Sequence, residues 1–125
     1  MRITRFSADA NGDSRFSQLE IDYPGLLEGY GLAVSASAPS PSVQFVTLPD
    51  GTDQPLHPVP QRQLVVVLQG RLQVGTTDGQ HREFTAGDAF LADDADTPGH
   101  MTRTMGGAAE LLFVRLPEGS FWKSG

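Results

Sequence analysis

The sequence contains no cysteine among its 125 residues, carries few charges and has no long apolar run. Without thiols there can be no thiolate nucleophile, zinc-thiolate site, iron–sulfur cluster or disulfide, which fits a reducing compartment. The longest unbroken apolar run, Leu64 to Leu68, is far too short to span a bilayer. The N-terminus lacks the apolar segment of a secretory signal. We therefore expect a cytoplasmic protein.

Positive charge is also scarce, since nine Lys and Arg residues stand against fifteen Asp and Glu, for a net charge of −6. A field of this sign repels phosphate backbones and anionic lipids, so nucleic-acid and membrane partners are not expected. A chain of this length should bury roughly two-thirds of its unfolded surface. We expect one domain over residues 1–125 whose core needs neither disulfide nor structural metal.

Glycine and proline are frequent, with 14 and 9 residues, and they separate short stretches rich in Val, Leu, Phe and Thr. This punctuation is typical of an all-β fold, and no segment shows the apolar period of an amphipathic helix. The predicted strands are Arg2 to Phe6, Phe16 to Ile21, Val43 to Leu48, Gln63 to Gln69, Arg71 to Gly75, His81 to Phe84, Ala89 to Ala92, His100 to Thr104 and Leu111 to Leu116.

The segment from Tyr23 to Ser42 is rich in Gly, Ala, Ser and Pro and has no consistent period. It predicts a long loop, which either covers a site or simply connects strands.

The run LVVVL from Leu64 to Leu68 has no polar residue on either face of its strand. A strand of this kind needs cover on both faces, by a second layer or by another subunit. Exposed at an edge, it would be a template for aggregation. We therefore expect a homodimer.

A spaced pattern of polar residues and glycines surrounds that run. Five residues separate Gly51 from His57, one separates His57 from Val59, three separate Val59 from Gln63, and six separate Gln63 from Gly70. This spacing resembles the first motif of the cupin superfamily, in which two histidines and a glutamate bind a metal. The segment GDAFLADDADTPGHM, which ends with His100 and Met101, resembles the second motif, whose histidine completes the site.

The resemblance implies an all-β, double-stranded β-helix (jelly-roll) barrel, with its core over about residues 43–116. Two departures affect the implied metal site. Val59 stands in place of the second histidine, and Gln63 stands in place of the glutamate. His100 is also displaced by two residues relative to the second motif. What remains for a metal is His57, Gln63 and His100.

The remaining donors leave two possibilities open. Valine offers no lone pair and an amide oxygen is a weaker donor than a carboxylate, so the barrel can be free of metal. Two imidazoles and an amide can also hold one divalent nickel, zinc or iron ion, with water or substrate completing the coordination.

Ligand contacts can also be predicted from strand alternation. Residues 59, 61 and 63 share a face in an extended chain, which predicts that Val59, Gln61 and Gln63 line the pocket. The two amides would then bind a carbonyl or carboxylate group. The alternative is that neighbouring backbone satisfies them.

Other polar residues have less specific signals. Asp93, Asp94 and Asp96 form an acidic segment before His100, which either orients or assists that imidazole or is a solvated turn. Of the three we favour Asp94, because it lies nearest the middle of the segment. His81 lies beside a predicted hairpin turn and is expected to be exposed.

Two functions follow from these residues. The first is binding of a small organic molecule in an apolar barrel. The second is an enzyme, with His57 and His100 as candidate catalytic residues. It would be a metal-dependent oxygenase, isomerase or lyase, or a metal-free isomerase in which a histidine acts as acid or base. The fold cannot decide between them, because one fold hosts many reactions.

Overall fold

A computed structural model describes residues 1–27, 31–117 and 122 of the chain. These residues form strands and loops, with no helix long and apolar enough to cross a membrane. The twelve strands are β1 (Arg2–Ala8), β2 (Ser14–Glu20), β3 (Gly25–Leu27), β4 (Leu32–Val34), β5 (Val43–Leu48), β6 (Asp53–His57), β7 (Gln63–Gln69), β8 (Arg71–Thr76), β9 (His81–Thr85), β10 (Ala89–Asp93), β11 (His100–Thr104) and β12 (Ala109–Arg115).

The strands form two main sheets and a short hairpin. A six-stranded sheet has the order β2-β1-β10-β7-β12-β5, and a four-stranded sheet has the order β6-β11-β8-β9. Nearly all pairs are antiparallel, with β1 and β10 the parallel pair among the described strands. The chain crosses repeatedly between the sheets, as in a jelly-roll barrel. The all-β jelly-roll prediction is confirmed.

The main core lies between the two sheets. The six-stranded sheet contributes Phe6, Val67 and Leu111, and the four-stranded sheet contributes Leu72 and Val74, all of them buried. Full burial stabilises each such side chain by about 1.5–3 kcal/mol relative to exposure. Each of the two sheets therefore turns an apolar face toward the other, as expected of a two-layer β fold.

Strand β7 is apolar on both faces, as expected, but its cover is uneven. Val65 and Val67 are buried in the main core. Leu64, on the opposite face, packs against a second cluster, which contains Leu91 and Leu116. Leu68 remains 42% exposed. The cover at Leu64 comes from the chain itself, whereas cover of Leu68 by another subunit stays a prediction.

Three strands escape sequence prediction. β3 and β4 lie within the predicted loop from Tyr23 to Ser42, and residues 28–30 of that loop lie outside the described residues. Each has only three residues, too few to show a period. β6 contains Pro55, which removes a backbone donor, and proline is tolerated here because β6 is an edge strand.

Candidate functional site

The two motif histidines meet across a strand pair. His57 ends β6 and His100 begins β11, and the two residues are directly opposite in the antiparallel register. Their ring centroids lie 4.8 Å apart. A Cβ at the adjacent Gly99 would lie 2.1 Å from the carbonyl carbon of His57, and the φ of Gly99 is +109°. Glycine is required at this position because the two backbones approach so closely.

A buried carboxylate orients His100. The Nδ1 atom of His100 donates to Oδ2 of Asp94 over 2.5 Å. The other carboxylate oxygen, Oδ1, accepts a hydrogen bond from the backbone N–H of Val59. Asp94 has no exposed surface, and His100 is 6% exposed. Because Nδ1 carries the proton in this bond, Nε2 is the nitrogen that His100 can offer to a ligand.

His57 is held in the same tautomer by a different acceptor. Its Nδ1 lies 2.8 Å from the backbone oxygen of Pro55. A carbonyl oxygen only accepts, so Nδ1 is the donor and Nε2 carries the lone pair. Among the described residues, neither Nε2 has a hydrogen-bond partner. The site therefore holds two neighbouring imidazoles whose acceptor nitrogens are unused.

A hydrogen-bonded turn precedes His100. Thr97 donates to the backbone oxygen of Asp94 through both its N–H and its hydroxyl. The Thr97 hydroxyl oxygen in turn accepts from the N–H of Gly99. These bonds close a compact turn between β10 and β11. The turn places the Asp94 carboxylate against the His100 ring.

The three aspartates of the acidic segment have different environments. Asp93 lies on the opposite side of the chain from Asp94 and forms ion pairs with Arg5 at 2.7 Å and Arg62 at 3.1 Å. Asp96 is exposed in the turn. Of the two interpretations, orientation of an imidazole applies to Asp94, and the solvated turn applies to Asp96. His81 is exposed, as expected.

Both histidines line a cavity of about 280 Å³ between the two sheets. Its wall is mainly apolar. Behind the wall, the buried Phe6 ring lies tilted against the His100 ring at a centroid distance of 4.8 Å. The cavity-lining residues are Gln44, Val46, Leu48, Gln54, His57, Val59, Pro60, Gln63, Val65, Leu72, Phe90, Ala92, His100, Thr102, Leu111, Phe113 and Arg115.

The structure separates the three residues for which ligand contacts were predicted. Val59 and Gln63 line the cavity. Gln61 is exposed and does not line it, and its Oε1 accepts from Arg115 at 3.4 Å. The alternation argument is wrong at Gln61 because Pro60 and Gln61 form a bend, so the chain is not extended from 59 to 63.

The donors present do not fit the complete metal site that the resemblance implies. The Val59 side chain occupies a cavity position without offering a ligand atom, and the carboxylate of Asp94 is used by His100 and by backbone. No group of three His, Cys, Asp or Glu side chains suited to a metal occurs among the described residues. His57, His100 and the Gln63 amide remain as a reduced donor set.

Four polar residues of the cavity were missed from the sequence: Gln44, Gln54, Thr102 and Arg115. Residues 111, 113 and 115 share a face of β12, and the burial of Leu111 in the structure identifies that face as the inner one. The others lie on strands whose inward face no motif identifies.

Comparisons with known proteins reveal the fold alone. No protein-family model and no curated protein matches the chain. The Cnp3 cupin domain of Schizosaccharomyces pombe is 18% identical, with a TM-score of 0.51 over 94% of this chain and 88% of that one. A cupin 2 conserved barrel domain protein from Leptotrichia buccalis is also 18% identical, with a TM-score of 0.51 over 73% of this chain and 44% of that one. A protein from Neisseria meningitidis has the same identity and TM-score over 59% and 71% of the two chains.

Proposed function

We propose that this chain, which has the cupin fold of those structures, binds a small organic molecule in the cavity between its sheets. The observation that carries the proposal is a mainly apolar cavity lined by both His57 and His100. The centroids of the two imidazole rings lie 4.8 Å apart, and the Nε2 atom of each ring has no hydrogen-bond partner among the described residues. Ligand sites are typically concave and apolar, with a few convergent polar groups that fix orientation. This cavity has both features.

A matched pair of substitutions on one strand tests the proposal. Val46 lines the cavity, whereas Val43 is exposed on the opposite face of β5. A set of small organic acids, amides and alcohols is screened by chemical-shift perturbation of the ¹⁵N-labelled protein. We expect hits to shift resonances of the cavity, with at least tenfold weaker binding to Val46→Phe and unchanged binding to Val43→Phe. Hits insensitive to Val46→Phe would contradict the proposal.

An enzymatic role is a second candidate, and the Asp94–His100 bond favours it. A carboxylate that holds an imidazole in one tautomer increases the ability of the free nitrogen to accept a proton. Once Nε2 of His100 has taken a C–H proton, the resulting imidazolium can return that proton to another atom of the same substrate, so a single ring balances the transfer. The lone pair on Nε2 of His57 can accept a hydrogen bond from the substrate beside it. This arrangement suits a metal-free isomerase.

Hydrogen exchange of a bound ligand tests the enzymatic role. A C–H proton next to a carbonyl group of the ligand is followed by ¹H NMR in D₂O. We expect exchange with wild-type protein and its loss in His100→Gln. Exchange that persists in His100→Gln would exclude His100 as the base.

The metal-dependent alternative relies on His57, Gln63 and His100. It has less support because the carboxylate and one imidazole of the family pattern are replaced. Elemental analysis of protein purified without a histidine tag tests it. A stoichiometric transition metal would favour an oxygenase, isomerase or lyase over simple binding.

A further inference from the structure

Charge is distributed unevenly over the cavity wall. The protein has a net charge of −6, yet no Asp or Glu side chain lines the cavity among the described residues. Its ionisable lining consists of Arg115, His57 and His100. The carboxylate of Asp94, which contacts the cavity-lining His100, is bonded to that ring and to the Val59 backbone. The interior of this acidic protein therefore presents a cation to a ligand.

Arg115 is held at the end of β12 by its backbone. Its N–H donates to the backbone oxygen of Ser42, and its register partner on β7 is Gln63. Residues directly opposite in an antiparallel pair project from the same face, so the Arg115 and Gln63 side chains leave the sheet side by side, and both line the cavity. The cavity thus has a polar region built from an arginine and an amide.

The guanidinium of Arg115 has capacity for further bonds. It has five N–H donors, and the described residues supply one hydrogen bond, from Nη1 to Gln61 at 3.4 Å. No ion pair of Arg115 occurs among the described residues. Arg62, by contrast, is paired with Asp93. Arg115 is half-buried, where a charge-assisted hydrogen bond is stronger than it would be in water.

We propose that the ligand is a small carboxylic acid with an apolar body, and that Arg115 binds its carboxylate. This inference rests on the proposed binding function. The planar guanidinium fork matches a carboxylate, and the Gln63 amide can donate to the same group. The apolar body would lie against Phe90 and Phe113. A single arginine suits a monoanion better than a phosphate, which carries more charge and usually recruits several cations.

Matched acids and amides separate this inference from binding in general. Benzoate and benzamide form one pair, and cyclohexanecarboxylate and its amide form another. Affinities are measured by chemical-shift titration with wild type and Arg115→Gln, with Arg71→Gln as the control because Arg71 is exposed on the other sheet. We expect wild type and Arg71→Gln to bind each acid at least tenfold more tightly than its amide.

In Arg115→Gln the preference for acids should disappear while the amides still bind. Arg115→Lys keeps the charge without the planar fork, so an intermediate preference is expected, and unfolding curves confirm that both variants fold. Equal binding of acids and amides to wild type, or an acid preference that survives Arg115→Gln, would overturn the inference and leave the binding function standing. If no compound in the wider screen binds in the cavity, both proposals fail.

Discussion

Both faces of the six-stranded sheet carry large apolar side chains, but these side chains are covered differently. The inner face packs against the four-stranded sheet and contains Phe6 and Val67, each essentially without exposed surface. On the outer face a second buried cluster includes Leu91, Ile21 and Leu116. On the same face, Phe45 of edge strand β5 lies outside that cluster and is 81% exposed. The burial of an outer-face side chain therefore depends on whether this cluster covers it.

The same contrast extends to polar residues. Asp93 and Asp94 are neighbours in sequence, but Asp93 forms ion pairs with two arginines near the surface, whereas Asp94 is enclosed with His100. One step along the chain reverses the side that a residue faces in extended backbone. Only the strand residues that face inward can therefore contact a ligand in the cavity. The residues that alternate with them face outward and can contribute to stability or association.

The largest expected difference between the faces is in stability. Phe6→Ala removes a ring that contacts the rings of Phe16, Phe90 and His100, so it should lower the free energy of unfolding by about 3–5 kcal/mol. Phe45→Ala should change it by about 0.5 kcal/mol or less in dilute protein. Urea unfolding of both variants measures this contrast. Similar losses would mean that the outer face is buried even in dilute solution.

The cavity face should also accept a restored metal site. Val59→His with Gln63→Glu adds one imidazole and one carboxylate beside His57 and His100. We expect zinc or nickel affinity to rise at least a hundredfold, or about 2.7 kcal/mol. Gln63→Glu alone should give less, because a buried carboxylate without bound metal is costly to desolvate.

The control for metal binding places the same two groups on the outer face of β7. Val66→His with Leu68→Glu should leave the affinity at the wild-type value, since these positions face away from His57 and His100. Calorimetric titration at neutral pH compares all four proteins. Equal affinities throughout would show that the motif alignment at Val59 and Gln63 is wrong.

Substitutions of the neighbouring aspartates Asp93 and Asp94 should also differ in their cost to stability, but by less than the two phenylalanine substitutions. Asp94→Asn removes the charged acceptor of His100 inside the core, which should lower the free energy of unfolding by about 1–3 kcal/mol. Asp93→Asn breaks ion pairs that are partly exposed to water, and we expect a loss of about 1 kcal/mol or less. Salt sharpens the contrast, because 1 M NaCl screens exposed pairs and leaves buried ones little changed. A salt-sensitive loss in Asp94→Asn would contradict its enclosed position.

How far the fold can be predicted depends on the strand. The bounds of β5, β7 and β11 match the prediction because each is an apolar or alternating stretch between turn residues. β6 is missed because a proline inside a strand is a breaking signal, and only its position at a sheet edge makes the residue acceptable. β1 and β10 extend two residues and one residue beyond their predicted ends, where pairing continues after the apolar pattern stops. β12 begins two residues before its predicted start and ends one residue before its predicted end.

The site was only partly predictable. The spacing of His57 and His100 indicated that the two rings meet, since motif spacing reflects strand pairing. The spacing did not distinguish Asp94 from the other two aspartates, and the sequence favoured Asp94 only for its central position in the segment. The turn through Thr97 is what brings the Asp94 carboxylate to His100. The prediction that Gln61 lines the cavity is wrong because a bend at Pro60 and Gln61 interrupts the alternation of side chains. Arg115 needed knowledge of which face of β12 turns inward, which depends on tertiary packing.

The smallest expected effect concerns association through the outer face. Phe45, Leu112 and Val66 form a cross-strand row that reaches the free edge of β5 among the described strands. An unpaired edge beside exposed apolar side chains favours pairing with a second copy of the chain.

We expect wild-type protein to be a dimer at micromolar concentration in sedimentation equilibrium. Phe45→Lys should weaken the dimer at least tenfold, or about 1.4 kcal/mol. Gln80→Lys adds the same charge at an exposed turn and should leave the dimer intact. A wild type that remains monomeric at this concentration would show that the outer face tolerates its exposure.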